Sequence, residues 1–367
     1  MARKTRPPVP LQVALQVALT PGCPAGIGPE VIAAGVLRAR VPASTRLRFM
    51  ASPALLLEGA RRARVEARRD GDRVLLHDGK TSRAVVCAIA DEDDAGRNAA
   101  PGVVDDAALR CQRDALVRAC QAAARGEVDA IVTGPVRKKA LVIHGESFPG
   151  QTEVVHRFLA LDDEPPLMVF AGAPFLLGLL TVHVALAEVP ALITAASLER
   201  GVRRLREATQ GILGEQDPCV LVLGVNPHAG ENGLFGTEEE RIVTPTLARL
   251  RGQGINVAGP IPADGFFADV ARWRRRGAPA AKAPVHAVLA MHHDQGLAPY
   301  KLLVGGEGIN VTWGLRVPRT SPDHGTADAL AGHGVADPSS TAAALRLAVS
   351  LARVAAARKH PPSNVTC

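Results

Sequence analysis

Apolar residues along this chain fall into two alternating rhythms. Short runs rich in Leu, Val, Ile and Ala predict strands over residues 11–19, 46–51, 129–133, 167–171, 177–183, 219–225 and 286–291. Between them lie longer Ala/Leu/Arg-rich segments whose apolar positions recur every three or four residues. These predict helices over 28–40, 53–63, 105–126, 152–160, 190–213, 237–253 and 338–358. Strands alternating with helices are the pattern of an α/β protein with a largely parallel sheet. Residues 66–104, rich in Asp, Arg and Gly, read as a surface excursion. The segment ARWRRRGAPAAKAP at 271–284 reads as an exposed loop insertion, and the ends, 1–10 and 360–367, as frayed. No repeat of fixed period is visible.

Composition narrows the class. A chain of 367 residues with 47% hydrophobic and 22% charged residues can bury a large core, as one domain or as two closely joined lobes. Its formal charge of +7 raises the question of nucleic acid. The arginines are dispersed through helical stretches, however, and two Trp and one Tyr offer little stacking surface, which argues against such a partner. A basic, solvated surface suits small anionic substrates instead. The six cysteines show no paired ligand spacing, so reduced thiols in a cytoplasm are expected. The basic head and apolar run of MARKTRPPVPLQVALQVALTPG have the outline of a signal peptide. Gln12 and Gln16 interrupt that run and glycines follow at once, so it reads as the first buried strand. No other apolar stretch is long enough to cross a bilayer without charge or turn residues, and no membrane partner is expected.

Three histidines fall at or just after predicted strands, where α/β proteins build their sites: His183 in GLLTVHVAL, His228 in GVNPHAGENG and His293 in AMHHDQG. Three imidazoles with an open fourth position suit Zn²⁺ or a similar ion, able to polarise a substrate hydroxyl. Each histidine alone is more often a satisfied structural residue. Their surroundings raise the interest: a glycine-rich turn follows His228, and His292, Asp294 and Gln295 crowd around His293. Lys301, Asn310 and Arg319 form a dispersed set able to hold phosphate or carboxylate, though a surface role is the commoner fate of any one of them. TGP at 133–135 and PAGIGPE at 24–30 are turns where backbone can approach an anion. Neither is a GxGxxG or Walker loop.

Taken together, TPGCPAGIGPE, VTGPVRK, FPGQTE, LLTVHVAL, GVNPHAGENGLFG, GPIPADGFF, MHHDQGLAPYK, GINVTWGL and RTSPDHGTADALAGHGVADPSS resemble, in order, the 4-hydroxythreonine-4-phosphate dehydrogenase family of vitamin B6 biosynthesis. The resemblance spans residues 20 to 340. It implies an isocitrate/isopropylmalate-dehydrogenase-like α/β fold rather than a Rossmann fold, with two intertwined lobes in a single chain. It implies a homodimer with its site shared between subunits, and a divalent metal ion (Zn, Mg or Co) on His183, His228 and His293. The substrate contacts it carries over are Gln151, Thr152, Lys301, Asn310 and Arg319, with Asp264 and Asp294 as candidates for proton transfer or ligand orientation.

The implied reaction is NAD- or NADP-linked oxidation of 4-phosphooxy-L-threonine, followed by loss of CO₂ to leave 3-amino-2-oxopropyl phosphate. Two positions depart from the pattern. Cys23 stands where the family usually has a carboxylate, and Gln151 where it usually has a histidine. Gln151 can hydrogen-bond but cannot ionise. These departures leave open a dehydrogenase of another phosphorylated acid, such as a 4-phospho-threonate or erythronate type, one of an aromatic dihydrodiol acid, and a non-catalytic metal-binding relative.

Overall fold

A computed structural model describes residues 14–137, 141–143, 145–172, 174–276 and 285–359. Its strands are β1 (Gln16–Thr20), β2 (Arg46–Phe49), β3 (Glu66–Asp70), β4 (Arg73–His77), β5 (Ser82–Cys87), β6 (Ala130–Thr133), β7 (Val142–Ile143), β8 (Glu146–Ser147), β9 (Leu167–Ala171), β10 (Leu176–Leu179), β11 (Val220–Leu223), β12 (Val257–Ile261), β13 (Ala287–Ala290), β14 (Ile309–Trp313) and β15 (Arg319–Pro322). The helices are α1 (Gly28–Ala39), α2 (Pro53–Arg62), α3 (Asp106–Ala124), α4 (Gln151–Leu159), α5 (Val189–Leu192), α6 (Ala195–Leu213), α7 (Thr244–Gly252), α8 (Ala263–Arg275), α9 (His293–Val304) and α10 (Ser339–Lys359).

Among the described residues, thirteen of these strands form one sheet in the order β12-β11-β13-β10-β9-β14-β15-β6-β1-β2-β5-β4-β3. Two parallel blocks run through it. β15, β6, β1, β2 and β5 share one direction, and β10, β13, β11 and β12 share another. The antiparallel pairs β15–β14, β14–β9 and β9–β10 join the blocks, so the two run in opposite senses. The middle of the chain builds one block, and its beginning and end build the other. The isocitrate/isopropylmalate-dehydrogenase-like α/β class, not a Rossmann sheet, is the observed one: a Rossmann sheet keeps its strands parallel across the switch point, and here an antiparallel seam lies between the halves.

Buried Val, Leu, Ile and Ala on β6 and β13 explain their continuous apolar runs, because helices cover both faces, α3 and α10 over β6 and α6 and α9 over β13. α10 is apolar and long enough to span a bilayer by length and composition, yet half of that stretch is buried within this fold. It packs chiefly on α1 and β15.

Several expectations are corrected. Residues 66–87 are no surface excursion but three strands, β3 and β4 antiparallel and β4 and β5 antiparallel, extending one end of the sheet. Val74, Leu76, Val85 and Cys87 alternate into the core, and this period-2 pattern sits among arginines on the open side. Residues 271–275 of the supposed loop continue α8, whose Phe266 and Val270 are buried one turn apart; 277–284 lie outside the described residues. The helix expected over 190–213 is broken, α6 starting afresh behind the Thr194 cap, whose hydroxyl accepts from the Ser197 amide. The predicted first strand begins at Gln16, and 11–13 are not described, nor are the ends 1–10 and 360–367.

Candidate active site

The strand register at the seam builds the floor of a cleft. Pairing of Asn310 with both Ser321 and Phe170, and of Thr312 with both Arg319 and Met168, places all six on one face of the sheet in two adjacent rows. β6 joins them: Ile131 pairs with Arg319, so Thr133, two residues on, points to the same face. The start of α4 and one side of α9 form the walls. The resulting cleft, about 270 Å³, is lined by Gln151, Thr152, His183, His293, Lys301, Asn310, Arg319 and Asp323, with others. A more apolar cavity of about 390 Å³ backs onto it across Thr152 and Met168.

Arg319 dominates the electrostatics. It is only 2% exposed, and its guanidinium donates to the hydroxyls of Thr312 (3.1 Å) and Thr133 (2.6 Å). Its Nε is buried without a partner, and no carboxylate lies within ion-pair distance among the described residues. Burial pushes its pKa down to about 10, so it remains a cation at neutral pH. Its hydrogen bonds go only to neutral hydroxyls, and the Glu153 carboxylate of α4, whose field favours the cation, makes no ion pair with it among the described residues. Lys301 supplies a second charge at 3.2 Å from Asp323, and its Nζ also donates to the Asp323 carbonyl (3.3 Å). Burial raises the Asp323 carboxyl above its ordinary range, and Lys301 opposes that shift. His324 also lines the cleft, with its Nε2 buried and unpartnered among the described residues.

His293 opens α9 and His183 follows β10; their ring centroids are 6.0 Å apart. The strand end beneath them is locked by Gln295, which accepts from the Met291 amide (2.8 Å) and donates to the Gly224 carbonyl (2.6 Å). His292 caps α9, accepting from the Gln295 amide, and burial lowers its pKa. His228 is elsewhere. It sits exposed on a short 3₁₀ turn, Pro227–Gly230, with its ring 6.0 Å from Phe235. His228, Ala229, Glu231 and Asn232 all have positive φ, a strained run that persists because Glu239 anchors the loop by accepting from the amides of Val225 and Asn226.

The structure therefore brings together Gln151, Thr152, Lys301, Asn310, Arg319, His183 and His293, and leaves out three predicted residues. His228 stands apart on its loop. Asp264 is exposed on the first turn of α8, outside the cleft lining. Asp294 is 88% exposed and meets the cleft through His293, its carboxylate accepting from the ring Nδ1 at 2.7 Å. No group of three His, Cys, Asp or Glu side chains is gathered for an ion among the described residues. The three-histidine metal set does not fit within one chain as folded here. Asp323 and His324 are the cleft residues that sequence reasoning missed; the signal was DHG directly after the strand that begins with Arg319.

Of the two departures from the family pattern, only Gln151 faces the cleft. Cys23 is fully buried in a small apolar pocket with Ala25, Ala99 and Ala108, and burial pushes its thiol pKa up. A carboxylate there would be desolvated, whereas a neutral thiol packs.

Fold and cleft together define an α/β protein with a cleft that presents Arg319 and Lys301 at the seam between two sheet halves. Comparison with known proteins refines this class. Residues 45–348 match the family described as pyridoxal phosphate biosynthetic protein PdxA, and the chain belongs to that family. It is 35% identical to a 4-hydroxythreonine-4-phosphate dehydrogenase from Trichlorobacter lovleyi, over 92% of this chain and 97% of the relative. A crystal structure of a 4-hydroxythreonine-4-phosphate dehydrogenase from Klebsiella pneumoniae superimposes with a TM-score of 0.72 at 32% identity, covering 93% of this chain and 98% of that one. A terephthalate 1,2-cis-dihydrodiol dehydrogenase from Burkholderia xenovorans LB400 superimposes less well, with a TM-score of 0.57 at 28% identity, over 92% and 98% of the chains. The named relatives are oxidoreductases, in keeping with an enzymatic role.

Proposed function

We propose that this protein is a cytoplasmic dehydrogenase that oxidises 4-phosphooxy-L-threonine with NAD or NADP to 2-amino-3-oxo-4-phosphooxybutanoate, which decarboxylates to 3-amino-2-oxopropyl phosphate. The observation that carries the reading is Arg319, a buried cation that no carboxylate pairs directly among the described residues, in a cleft that also presents Lys301. A substrate with phosphate and carboxylate groups supplies a direct anionic partner, and charge-assisted hydrogen bonds hold it in one pose. Asn310 and Thr152 add neutral contacts beside the same floor.

The divalent ion (Zn, Mg or Co) and the homodimer belong to this reading together. His183 and His293 provide two imidazoles in one cleft. A second copy's loop would bring His228 as the third, in a site shared between subunits. Asp294, bonded to His293, is assigned to orienting that ring; Asp264 is kept as a proton-transfer candidate only in the assembled dimer. No nucleic acid or membrane partner forms part of the proposal.

The test is NAD(P)H formation by purified protein with 4-phosphooxy-L-threonine, with and without chelator, and with Zn²⁺, Mg²⁺ or Co²⁺ restored. Metal-dependent turnover is expected. Turnover unaffected by thorough chelation would remove the ion from the reading. A second reading, a dehydrogenase of a 4-phosphorylated threonate or erythronate, is favoured by Gln151 alone, and faster turnover of those acids would establish it.

A further inference from the structure

We infer that Gln151 is a specificity-determining residue: its side-chain carbonyl oxygen selects substrates that offer a hydroxyl or ammonium hydrogen-bond donor between their anionic ends. The inference rests on the cleft being the site of a phosphorylated acid, and adds what that site demands of the atoms between phosphate and carboxylate.

The orientation of the Gln151 amide follows from its neighbour. Its Nε2 lies 3.2 Å from the carbonyl oxygen of Gly134, which can only accept, so the nitrogen must face it and Oε1 must turn away. Gly134 is itself held by its neighbours. Its own amide donates to the carbonyl and hydroxyl of Thr20 (3.1 and 3.2 Å), and a Cβ on it would lie 2.6 Å from the Pro21 carbonyl oxygen. Oε1 is left buried, without a hydrogen-bond partner among the described residues, on a side chain that lines the cleft.

Asn310 adds a second amide on the floor, its Oδ1 also buried and unpartnered among the described residues. A buried carbonyl oxygen without a donor is costly, and one bound to a donor-bearing ligand is not. The cleft thus divides its work. Arg319 and Lys301 take the anions, and the Gln151 amide oxygen, oriented by the Gly134 carbonyl, takes a hydrogen-bond donor. Because an amide oxygen does not ionise, Gln151 imposes this choice without a titration of its own.

The experiment measures Kd by calorimetry for three ligands: 4-phosphooxy-L-threonine, its analogue without the C2 ammonium (3-hydroxy-4-phosphooxybutanoate), and its analogue without the C3 hydroxyl (O-phospho-L-homoserine). The native protein should bind the complete ligand at least about tenfold more tightly than one of the analogues. Gln151→Met should erase that preference while binding the disfavoured analogue as the native protein does, which also shows that the variant is folded. Gln151→Glu keeps an acceptor and adds a negative charge, so it should weaken all three ligands and retain the preference. Undiminished preference in Gln151→Met, or no preference in the native protein, overturns the inference while leaving the phosphorylated-acid site standing. Failure of all three ligands to bind native protein overturns that reading, and the inference with it.

Discussion

Arg319 owes its conformation to neutral partners, and its energetics follow from that. Two hydroxyls satisfy part of the fork while Nε stays bare, and Glu153 acts on the cation only from beyond ion-pair distance, so the free protein carries a buried charge with no direct anionic partner among the described residues. If the charge is retained for the ligand, Arg319→Met should trade function for stability: a thermal midpoint equal to or above the native one, with kcat/KM reduced by roughly 100-fold or more. Arg319→Lys keeps the charge but loses the planar fork, and a loss of about tenfold in ligand affinity, or about 1.4 kcal/mol, is expected. An Arg319→Met variant that unfolds at lower temperature and still turns over would show that the guanidinium is structural. The buried thiols make a second case. Burial raises the pKa of Cys87 and Cys120 to about 12 and pushes Cys23 and Cys111 upward as well. Thiolate is the reactive form, so peptide mapping after brief alkylation of the native protein at neutral pH should find these four unmodified. Rapid labelling of any of them would mean that its segment opens.

Among the elements, α2 holds more of the molecule than its ten residues suggest. Arg62 is buried and donates to the carbonyls of Pro24 (3.0 Å) and Ala99 (2.7 Å), tying the PAGIGPE turn to the 95–104 segment. Glu58, one turn back, accepts from both Arg61 and Arg62, and those bonds hold its carboxyl near a pKa of about 2. A carboxyl whose folded pKa lies below its unfolded value, about 4.3, gives its full stabilisation above the unfolded value. That contribution is lost as pH falls through the folded one. Glu58→Gln should therefore cost roughly 1–2 kcal/mol at pH 7, and the deficit should shrink as pH drops from about 4 toward 2. Equal deficits at both ends of that range, followed by thermal melts, would rule out the carboxylate's charge as the cause. The same scale shows what could be read from sequence. Buried parallel strands and amphipathic helices were legible because one period governs each. β14 and β15 were not, because Asn310, Thr312, Arg319 and Ser321 face the cleft and dilute the apolar signal. α9 was hidden by Gly296 and Pro299, and β12 by Gly259 and Pro260. The cleft residues could be nominated singly, but only the seam register places Arg319 beside Thr133, 186 residues away.

At the scale of the whole molecule, the two opposed blocks leave two imidazoles at the seam and carry the third on a loop that does not reach it. The sequence patterns named all three histidines but held no information on whether one chain could assemble them. The 226–236 loop is pinned by Glu238 and Glu239, and it presents His228, Leu234 and Phe235 outward; Leu234 is 70% exposed. Bending that loop onto its own cleft would break its carboxylate anchors, whereas a second copy could receive it as it stands. A shared site makes a prediction that a self-contained one does not. His183→Ala and His228→Ala should each be inactive as pure proteins, because every site in either dimer lacks a ligand. Unfolding and refolding them together in equal amounts makes half of the dimers mixed. Each mixed dimer has one site with both histidines intact, so activity should return to roughly a quarter of the native level. If each site drew all three histidines from one chain, every site in the mixture would still carry a substitution, and no activity would return. A full-length protein that sediments as a monomer under assay conditions, yet turns over, would exclude the shared site by a separate route.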